Sequence, residues 1–495
     1  MTPPQTAGDA YPRRWLALFV LLLAGFMNLV DISIVNVALP RVQSGLGATS
    51  AQIEWVAAAY VLAFALGLLP FGRLGDRVGR KKMFLLGVAG FTLFSLLCGL
   101  APTMNTLILA RVLQGFAGAM MMPQVLALAQ VMFPPAERAL AFSLFGLSAG
   151  LASVAGPLVG GLLIDADLFG LDWRPIFLVN IPVGLAAIVA AFVVLPATPP
   201  NPQIRNDWGG MVIAGMSIFL LVFPLVEGHT LGWPAWAFAM IAAGILGFVL
   251  FFLYERGRAA RGASQLLPVA LLANARFMTG SAMTVVFFSG VSGFFLVLAV
   301  FLQSGFGFSP LQSGLATTPF PVGVLVASVV SGRVGTKWSR RRIALGALSL
   351  VVGMLILRFV VSGVSDAVDA WNLVLPLALC GFGLGVGIAP MFQTVLSSVP
   401  PRDAGSGSGA LQSFQQIGSA IGIAITGQIF FSALAGALGG GSAPHAAFVH
   451  SLEAALVYEV LAFLAVAGLV LFLKPPSASA GTVTDPRPRS AAIEV

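Results

Sequence analysis

The sequence predicts an all-α integral membrane protein of fourteen spanning helices, ordered six, two and six, with two pseudo-symmetric six-helix bundles around an inserted pair. Three observations predict it. Of 495 residues, 58% are hydrophobic and only 9% charged, where a soluble chain carries charge on about a quarter of its positions. Pro, Gly and charge divide the chain into fourteen apolar runs near the roughly 20 residues that cross a hydrocarbon core as a helix. Finally, three short motifs of the first half return in order in the second.

The runs lie near 15–39, 53–72, 83–101, 107–132, 140–164, 176–195, 209–227, 236–254, 278–303, 312–332, 343–362, 372–396, 410–432 and 453–473. The first is too long for a signal-peptide core and contains Asp31, so it reads as an uncleaved span. With the N-terminus inside, 22 of the 26 Lys and Arg fall in inside segments, Arg41 and Arg174 lie outside, and Arg111 and Arg358 fall within spans. That asymmetry is the positive-inside rule. It predicts a multi-pass membrane protein with both termini cytoplasmic, and it accounts for the net charge of +8 without nucleic acid. The expected organisation is a cytoplasmic N-terminus (1–14), a first bundle (15–195), two inserted helices with flanking loops (196–260), a second bundle (261–473) and a disordered tail (474–495), whose Pro/Ser/Ala-rich composition suits disorder.

Enzymatic chemistry has little to work with. Cys98 and Cys380 both lie in apolar runs, and the three histidines form no cluster, so neither a metal site nor a cofactor is expected. None of the four lysines precedes Ser or Thr, which excludes a P-loop.

The repeat is GRLGDRVGRK at 72–81 returning as GRVGTKWSRR at 332–341, LQGF at 113–116 as LCGF at 379–382, and PPAERA at 134–139 as PPRDA at 400–404. Duplicated bundles are a transporter architecture with the binding site between the halves. At these offsets Asp31 faces Val291, Asp76 faces Thr336, and Arg111 faces Leu377 and Ala378. Proton or charge handling is therefore expected in the first half, with the second supplying cavity wall.

Asp31 lies nine residues before Pro40, the expected outer end of span 1, or roughly 13 Å deep at 1.5 Å per residue. An acid there is functional by default and a natural place to take up and release a proton. Asn28 shares its face. Arg111 in span 4 comes at a matching depth, followed by Gln114, Gly115 and Gly118 on one face, a cation and an amide beside small residues that allow close helix approach. Proton coupling is accordingly placed on Asp31 and Arg111. The substrate cavity is expected to draw on Asn28, Gln114, Gln412 and Gln416, with Gln415 beside them, and on Glu54 at the outer mouth. In span 5, Ser148, Ala152, Gly156 and Gly160 form a small-residue stripe flanked by Pro157 and Gly161, as a pivoting interface requires. Between spans 2 and 3, Asp76 is the one acid among five bases; with Gly72, Arg77, Gly79, Arg80 and Lys81 it reads as a conformational latch, able to pair with Arg77, Arg80 or a helix terminus across the bundle. Arg358 and Glu459 both lie in the outer half of their spans. Glu227 reads as interfacial.

These motifs resemble those of the major facilitator superfamily. Gly72 to Lys81 is similar to its loop signature, Arg111/Gln114/Gly115/Gly118 to its fourth-helix motif, and Ser148 to Gly161 to its fifth-helix antiporter motif, departing at Ser148 where Gly is usual. LVDISIVNVALP at 29–40 and WRPIFLVNIPVG at 173–184 resemble segments of the fourteen-span drug:proton antiporters of the EmrB/QacA type, and the likeness covers about 15–473. The resemblance implies the major facilitator fold and a proton-driven antiporter of the cytoplasmic (inner) membrane that exports hydrophobic or amphipathic compounds by alternating access. In that fold the spans of Arg358 and Glu459 are peripheral supports, so the two are expected to pair structurally. Its partners would be small amphipathic molecules, protons and the bilayer; no motif designates a periplasmic adaptor. The rival readings are a dedicated exporter of one metabolite or antibiotic, and a non-transporting membrane sensor.

Overall fold

The computed structural model describes residues 11–228, 231–334, 338–364 and 366–473. The expected tail (474–495) and most of the expected N-terminal segment lie outside them, as does Thr336. Among the described residues all regular secondary structure is helical. In order the helices are α1 (Arg14–Leu46), α2 (Ser50–Val78), α3 (Arg80–Gly99), α4 (Met104–Met132), α5 (Pro135–Asp165), α6 (Pro175–Leu178), α7 (Asn180–Val194), α8 (Trp208–Glu227), α9 (Ala235–Ala260), α10 (Val269–Leu272), α11 (Ala275–Val300), α12 (Pro310–Thr317), α13 (Pro319–Val334), α14 (Ser339–Ser362), α15 (Ala370–Leu396), α16 (Ala404–Gly439) and α17 (Pro444–Leu469). They supply fourteen candidate spans, two of them assembled from consecutive pieces, α6 with α7 and α12 with α13.

Local chemistry sets where the helices start. Thr49, Thr103 and Ser309 each accept a hydrogen bond from the backbone N–H three residues on, and Gln52, Thr106 and Gln312 reach back, a reciprocal cap that satisfies otherwise orphaned donors. Because the spans alternate in direction, the ends bearing Arg13 and Arg14, Arg73 to Lys82, Arg138, Arg205, Arg256 to Arg276, Arg340 to Arg342 and Arg402 all fall on one side, the basic face. There Arg14 grips Glu137 through Nε and Nη2 at 2.6 and 2.9 Å, tying α1 to α5, and that hydrogen bonding holds the Glu137 carboxyl below the usual carboxylate range.

Two expected boundaries move. Span 1 does not stop at Pro40 but runs to Leu46, which puts Asp31 near the middle of α1. The segment Gly72 to Lys81 is not a loop either: α2 continues to Val78, α3 begins at Arg80, and Gly79 alone breaks the helix at φ +100°. Only glycine adopts that φ readily, and here a Cβ would also strike the Thr198 carbonyl.

Helices α1 to α7 pack on one another, as do α11 to α17, giving two six-span bundles. Small residues make the tight contacts. Along α16, a Cβ at Gly418 or Gly422 would run into the carbonyl oxygens of Val285 and Ser289 on α11. Helices α8 and α9 form a hairpin outside both bundles, and α8 lies along the seam. Its Ile218, Leu221, Val222 and Leu225 pack with Ala65 of α2 and with Ile417, Ala420 and Ala424 of α16. The hairpin is pinned at the basic face by Asp207, which accepts from the Gly210 N–H at 2.9 Å and the Tyr254 hydroxyl at 3.1 Å and pairs with Arg258 at 2.9 Å.

Gly422→Leu should push α11 and α16 apart and destabilise the purified protein by about 1–3 kcal/mol, read as a lower thermal-unfolding midpoint, whereas Gly436→Leu, in open space, should leave it unchanged.

Candidate functional site

The most polar interior point is built by α1, α2, α3, α4 and α7. Asp31 and Arg111 are both wholly buried, and Arg111 Nη1 donates to Asp31 Oδ2. The other carboxylate oxygen, Oδ1, accepts from Gln114 Nε2 and from Asn180 Nδ2, each at 2.9 Å. Arg111 donates further to the Val56 carbonyl at 3.0 Å and to Gln114 Oε1 at 2.7 Å, with its guanidinium 4.1 Å from the centre of the Tyr60 ring. Ser95 Oγ accepts from Gln114 at 2.7 Å and Asn180 at 3.2 Å, and Asn28 donates to the Tyr60 hydroxyl at 2.5 Å. Gly115 and Gly118 let α4 approach closely enough for this, since a Cβ on either would strike the Tyr60 carbonyl or the Asn28 side chain.

The two charges depend on each other. Two charges out of water are tolerable while both are present and hydrogen-bonded, and removing one leaves the other uncompensated. Protonating Asp31 would have the same effect from within, withdrawing the negative charge that holds Arg111, Gln114 and Asn180 in register.

A second polar assembly joins the bundles at the basic face. Asp76, on the last turn of α2, meets the N-terminus of α16: Oδ1 accepts from the Gly405 N–H and Oδ2 from the Ser406 N–H, both at 2.8 Å. A carboxylate there satisfies orphaned helix N–H groups and meets the positive end of the helix dipole. Arg80 donates to Asp76 Oδ1 through Nε at 3.0 Å and Nη2 at 2.8 Å, and to the Pro401 carbonyl at 2.5 Å. Arg73 pairs with Asp403 at 2.8 Å. Behind them Gln130 Nε2 donates to the Leu396 carbonyl at 2.6 Å and Ser408 Oγ to that of Pro123 at 2.9 Å. Gly72 lies against Gly405 so closely that a Cβ would strike its carbonyl. The basic face is shut.

The remaining expected residues distribute unevenly. Lys81 caps α7, donating to the Phe192 and Leu195 carbonyls at 2.7 and 2.8 Å, while Arg77 contributes its carbonyl, which accepts from the Asn201 N–H at 2.8 Å. Ala152 and Gly156 pack on α1, whose Ser33 Oγ donates to the Ala152 carbonyl at 3.1 Å. That face of the stripe is therefore internal to its own bundle, and Gly146 and Gly150, about half a turn out of phase, meet Ile388 and Pro321 of the other. Ser148 and Gly160 are buried, Pro157 stays within an unbroken α5, and Gly161 has open space beside it.

The expected cavity set needs correction. Asn28 and Gln114 are bound into the polar centre of the first bundle, not presented to a space between bundles. Gln412 is buried, Gln416 is half-buried, and the side chain of Glu54 lies outside the described residues. Between the bundles lies a cavity of about 90 Å³ whose walls include Phe145, Gly150, Phe288, Val291, Phe320 and Gln415. Ligand sites run to roughly 300–1,000 Å³, so this cavity, lined by apolar side chains except for Gln415, is too small to be one as it stands. Nor do Arg358 and Glu459 pair. Arg358 is exposed on α14, while Glu459 is buried on α17, where it accepts from Thr426 Oγ1 at 2.9 Å; the two point to opposite sides of the bundle wall.

Sequence reasoning missed Asn180, Ser95 and Tyr60 at the polar centre and Arg73, Asp403 and Ser406 at the seam. Asn180 carried a signal, being the single amide in the apolar stretch LVNIPVG; Ser406, which meets Asp76 through both its backbone N–H and its hydroxyl, carried none.

The Major Facilitator Superfamily family model matches residues 21–210 and 202–423. Among curated proteins, "Probable actinorhodin transporter" of Streptomyces coelicolor is 43% identical over 425 residues, covering 86% of this chain and 74% of the relative. "Puromycin resistance protein pur8" of Streptomyces alboniger is 33% identical over 492 residues, with 97% and 96% covered. "Tetracenomycin C resistance and export protein" of Streptomyces glaucescens is 33% identical over 435 residues, with 85% and 76% covered. Among solved structures, the human organic anion transporter MFSD10 (TETRAN) superposes with a TM-score of 0.64 at 16% identity, covering 93% of this chain and all of that one.

Arg111→Ala should destabilise the protein by about 3–5 kcal/mol by stranding Asp31. Arg111→Ala with Asp31→Asn should recover much of that in thermal unfolding. Equal destabilisation of the single and double variants would mean that Arg111 acts by packing on Tyr60 and not by charge.

Proposed function

The chain belongs to the major facilitator superfamily, and from that premise we propose that it is a proton-coupled antiporter exporting hydrophobic or amphipathic compounds across the cytoplasmic membrane. The observation that carries the reading is the wholly buried Asp31–Arg111 pair, an ionisable centre with no role in lipid and a direct one in handling a proton. The names of the three bacterial relatives, a transporter, a resistance protein and an export protein, support the direction and class of cargo.

The orientation follows from charge. With the basic face in the cytoplasm, the arginine- and lysine-bearing ends obey the positive-inside rule and both ends of the described chain, Tyr11 and Leu473, lie inside. The structure is then shut to the cytoplasm. In the proposed cycle residues 15–195 and 261–473 rock against each other, with 196–260 as the inserted hairpin and its loops. A proton arriving from outside neutralises Asp31, frees Arg111, and loosens the packing of α4 and α7 on α1. Substrate leaves outward, and loss of the proton toward the cytoplasm re-forms the pair. Coupling consists in each ligand changing the other's affinity.

The latch is Asp76 on the N-terminus of α16, braced by Arg80. It exists only while the basic face is closed, so it sets the balance between the two states. Cargo binds in the expanded form of the cavity around Gln415, where Phe145, Phe288 and Phe320 offer adaptable apolar contact.

One specific observation favours a narrower second reading. The 43% identical relative is named for a single compound, actinorhodin, as a dedicated exporter would be, and a narrow substrate profile would select that reading.

In efflux-deficient bacteria, the wild-type chain should lower accumulation of ethidium or of a substrate found by growth inhibition, and an uncoupler should abolish the effect. Asp31→Asn, at equal membrane abundance, should raise accumulation to that of cells lacking the protein; export persisting in Asp31→Asn would remove the proton from this site. Asp76→Asn should leave binding intact and slow turnover several-fold, measured in proteoliposomes.

A further inference from the structure

Beside the latch, and outside everything assigned above, a cavity of about 550 Å³ opens at the basic face. Four segments wall it: the last turns of α2, the stretch between α7 and α8, the stretch after α9, and the turn before α16. Its charged lining is Arg73, Arg205, Arg258, Arg402 and Asp403. Asp403 answers Arg73 and Arg402, at 2.8 and 3.2 Å, and Asp207 answers Arg258 at 2.9 Å. Four guanidinium groups thus share two carboxylates. Arg205 is exposed and has no ion-pair partner among the described residues.

The second observation is a buried donor without an acceptor. Arg73 is only 6% exposed, its Nη1 is engaged by Asp403 and Ser406, and its Nε finds no hydrogen-bond partner. A buried N–H left unmade is costly, and polar groups so placed are normally satisfied by something. Guanidinium groups offer paired donors that suit phosphate oxygens. The depth fits as well. Trp208, at the first position of α8, is 69% exposed, and tryptophans so placed lie at the headgroup level of a bilayer.

We propose that this cavity is a phosphate-anion site, taking the phosphodiester of an anionic phospholipid or a soluble phosphate through Arg73, Arg205 and Arg402. Basic pockets between spanning helices on the cytoplasmic side bind such headgroups. The site has a consequence for the cycle. Arg73 belongs to the first bundle, and Arg402 with Asp403 to the second, so the ligand is held by both only while the basic face is closed. Whatever binds one state better shifts the population toward it, and an occupied site therefore favours the closed basic face. The inserted hairpin gains a purpose: Arg205 and Arg258 complete a site that the two bundles alone leave open.

The binding test does not depend on transport. The full-length protein in nanodiscs of phosphatidylcholine is titrated with phosphatidylglycerol and, separately, with inorganic phosphate, and retained lipid is counted by native mass spectrometry after mild solubilisation. Phosphatidylglycerol should bind saturably in preference to phosphatidylcholine. Arg205→Gln with Arg402→Gln, both exposed side chains, should weaken it at least about tenfold at unchanged helical content. Displacement by millimolar inorganic phosphate would identify the soluble anion as sufficient; persistence against it would identify the lipid. Equal retention of phosphatidylglycerol and phosphatidylcholine, or equal affinity in wild type and variant, would overturn the site. The coupling is read with spin labels at Lys82→Cys and Ser397→Cys across the basic face: anion should enlarge the short-distance population, and an unchanged distribution would overturn the conformational part.

Discussion

A hydrocarbon core offers no water to a polar group, so each one placed there must be answered by another part of the protein. This constraint explains why the polar residues of so apolar a chain gather in a few places. Asp31 and Arg111 draw in Gln114, Asn180, Ser95 and the Val56 carbonyl, and in doing so fix five helices of the first bundle in relation to one another. Elsewhere the helices are held by shape, as where Gly418 and Gly422 bring α16 against the backbone of α11.

The two polar assemblies differ in what they bind together. The Asp31 centre lies wholly within one bundle, so its hydrogen bonds can survive a rigid-body rotation and be altered by a proton. Asp76 reaches across the seam to backbone N–H groups of Gly405 and Ser406, bonds that exist in one arrangement of the bundles and not in another. In the proposed cycle the first is a chemical switch inside one bundle and the second a geometric switch between bundles, the two elements such a cycle must connect. Helix α5 lies between them, packed on α1 through Ala152 and Gly156 and on the other bundle through Gly146 and Gly150. In the proposed cycle a change around Asp31 would reach the seam through this helix, which touches both.

Much of this was legible in the sequence. Fourteen spans, their alternation and the buried Asp31–Arg111 contact all follow from local features: apolar length, the placement of arginines, and charges at matching depth. The legible part ended where a partner came from a distant segment or from the backbone. Arg358 and Glu459 looked like a pair because both were charges at similar depth, yet depth fixes one coordinate, and rotation about the helix axis put Arg358 outward and Glu459 inward. The same ambiguity misassigned Asn28 and Gln114 to the cavity, since the inner face of one bundle and the face between bundles are both apolar-lined and free of lipid.

The sequence by itself determined the class, the number of spans, the basic face and which ionisable groups were too deep to be incidental, because hydrophobic length and charge placement are one-dimensional properties of the chain. Only the tertiary structure decided that α1 runs on to Leu46, that the expected loop is two helices broken at Gly79, and that Asp76 finds the start of α16 some 330 positions away. It also decided that the inserted hairpin closes the seam and helps wall an arginine-lined cavity. Those outcomes depend on helix rotation and on which backbone ends meet, and neither is written in any local pattern of side chains.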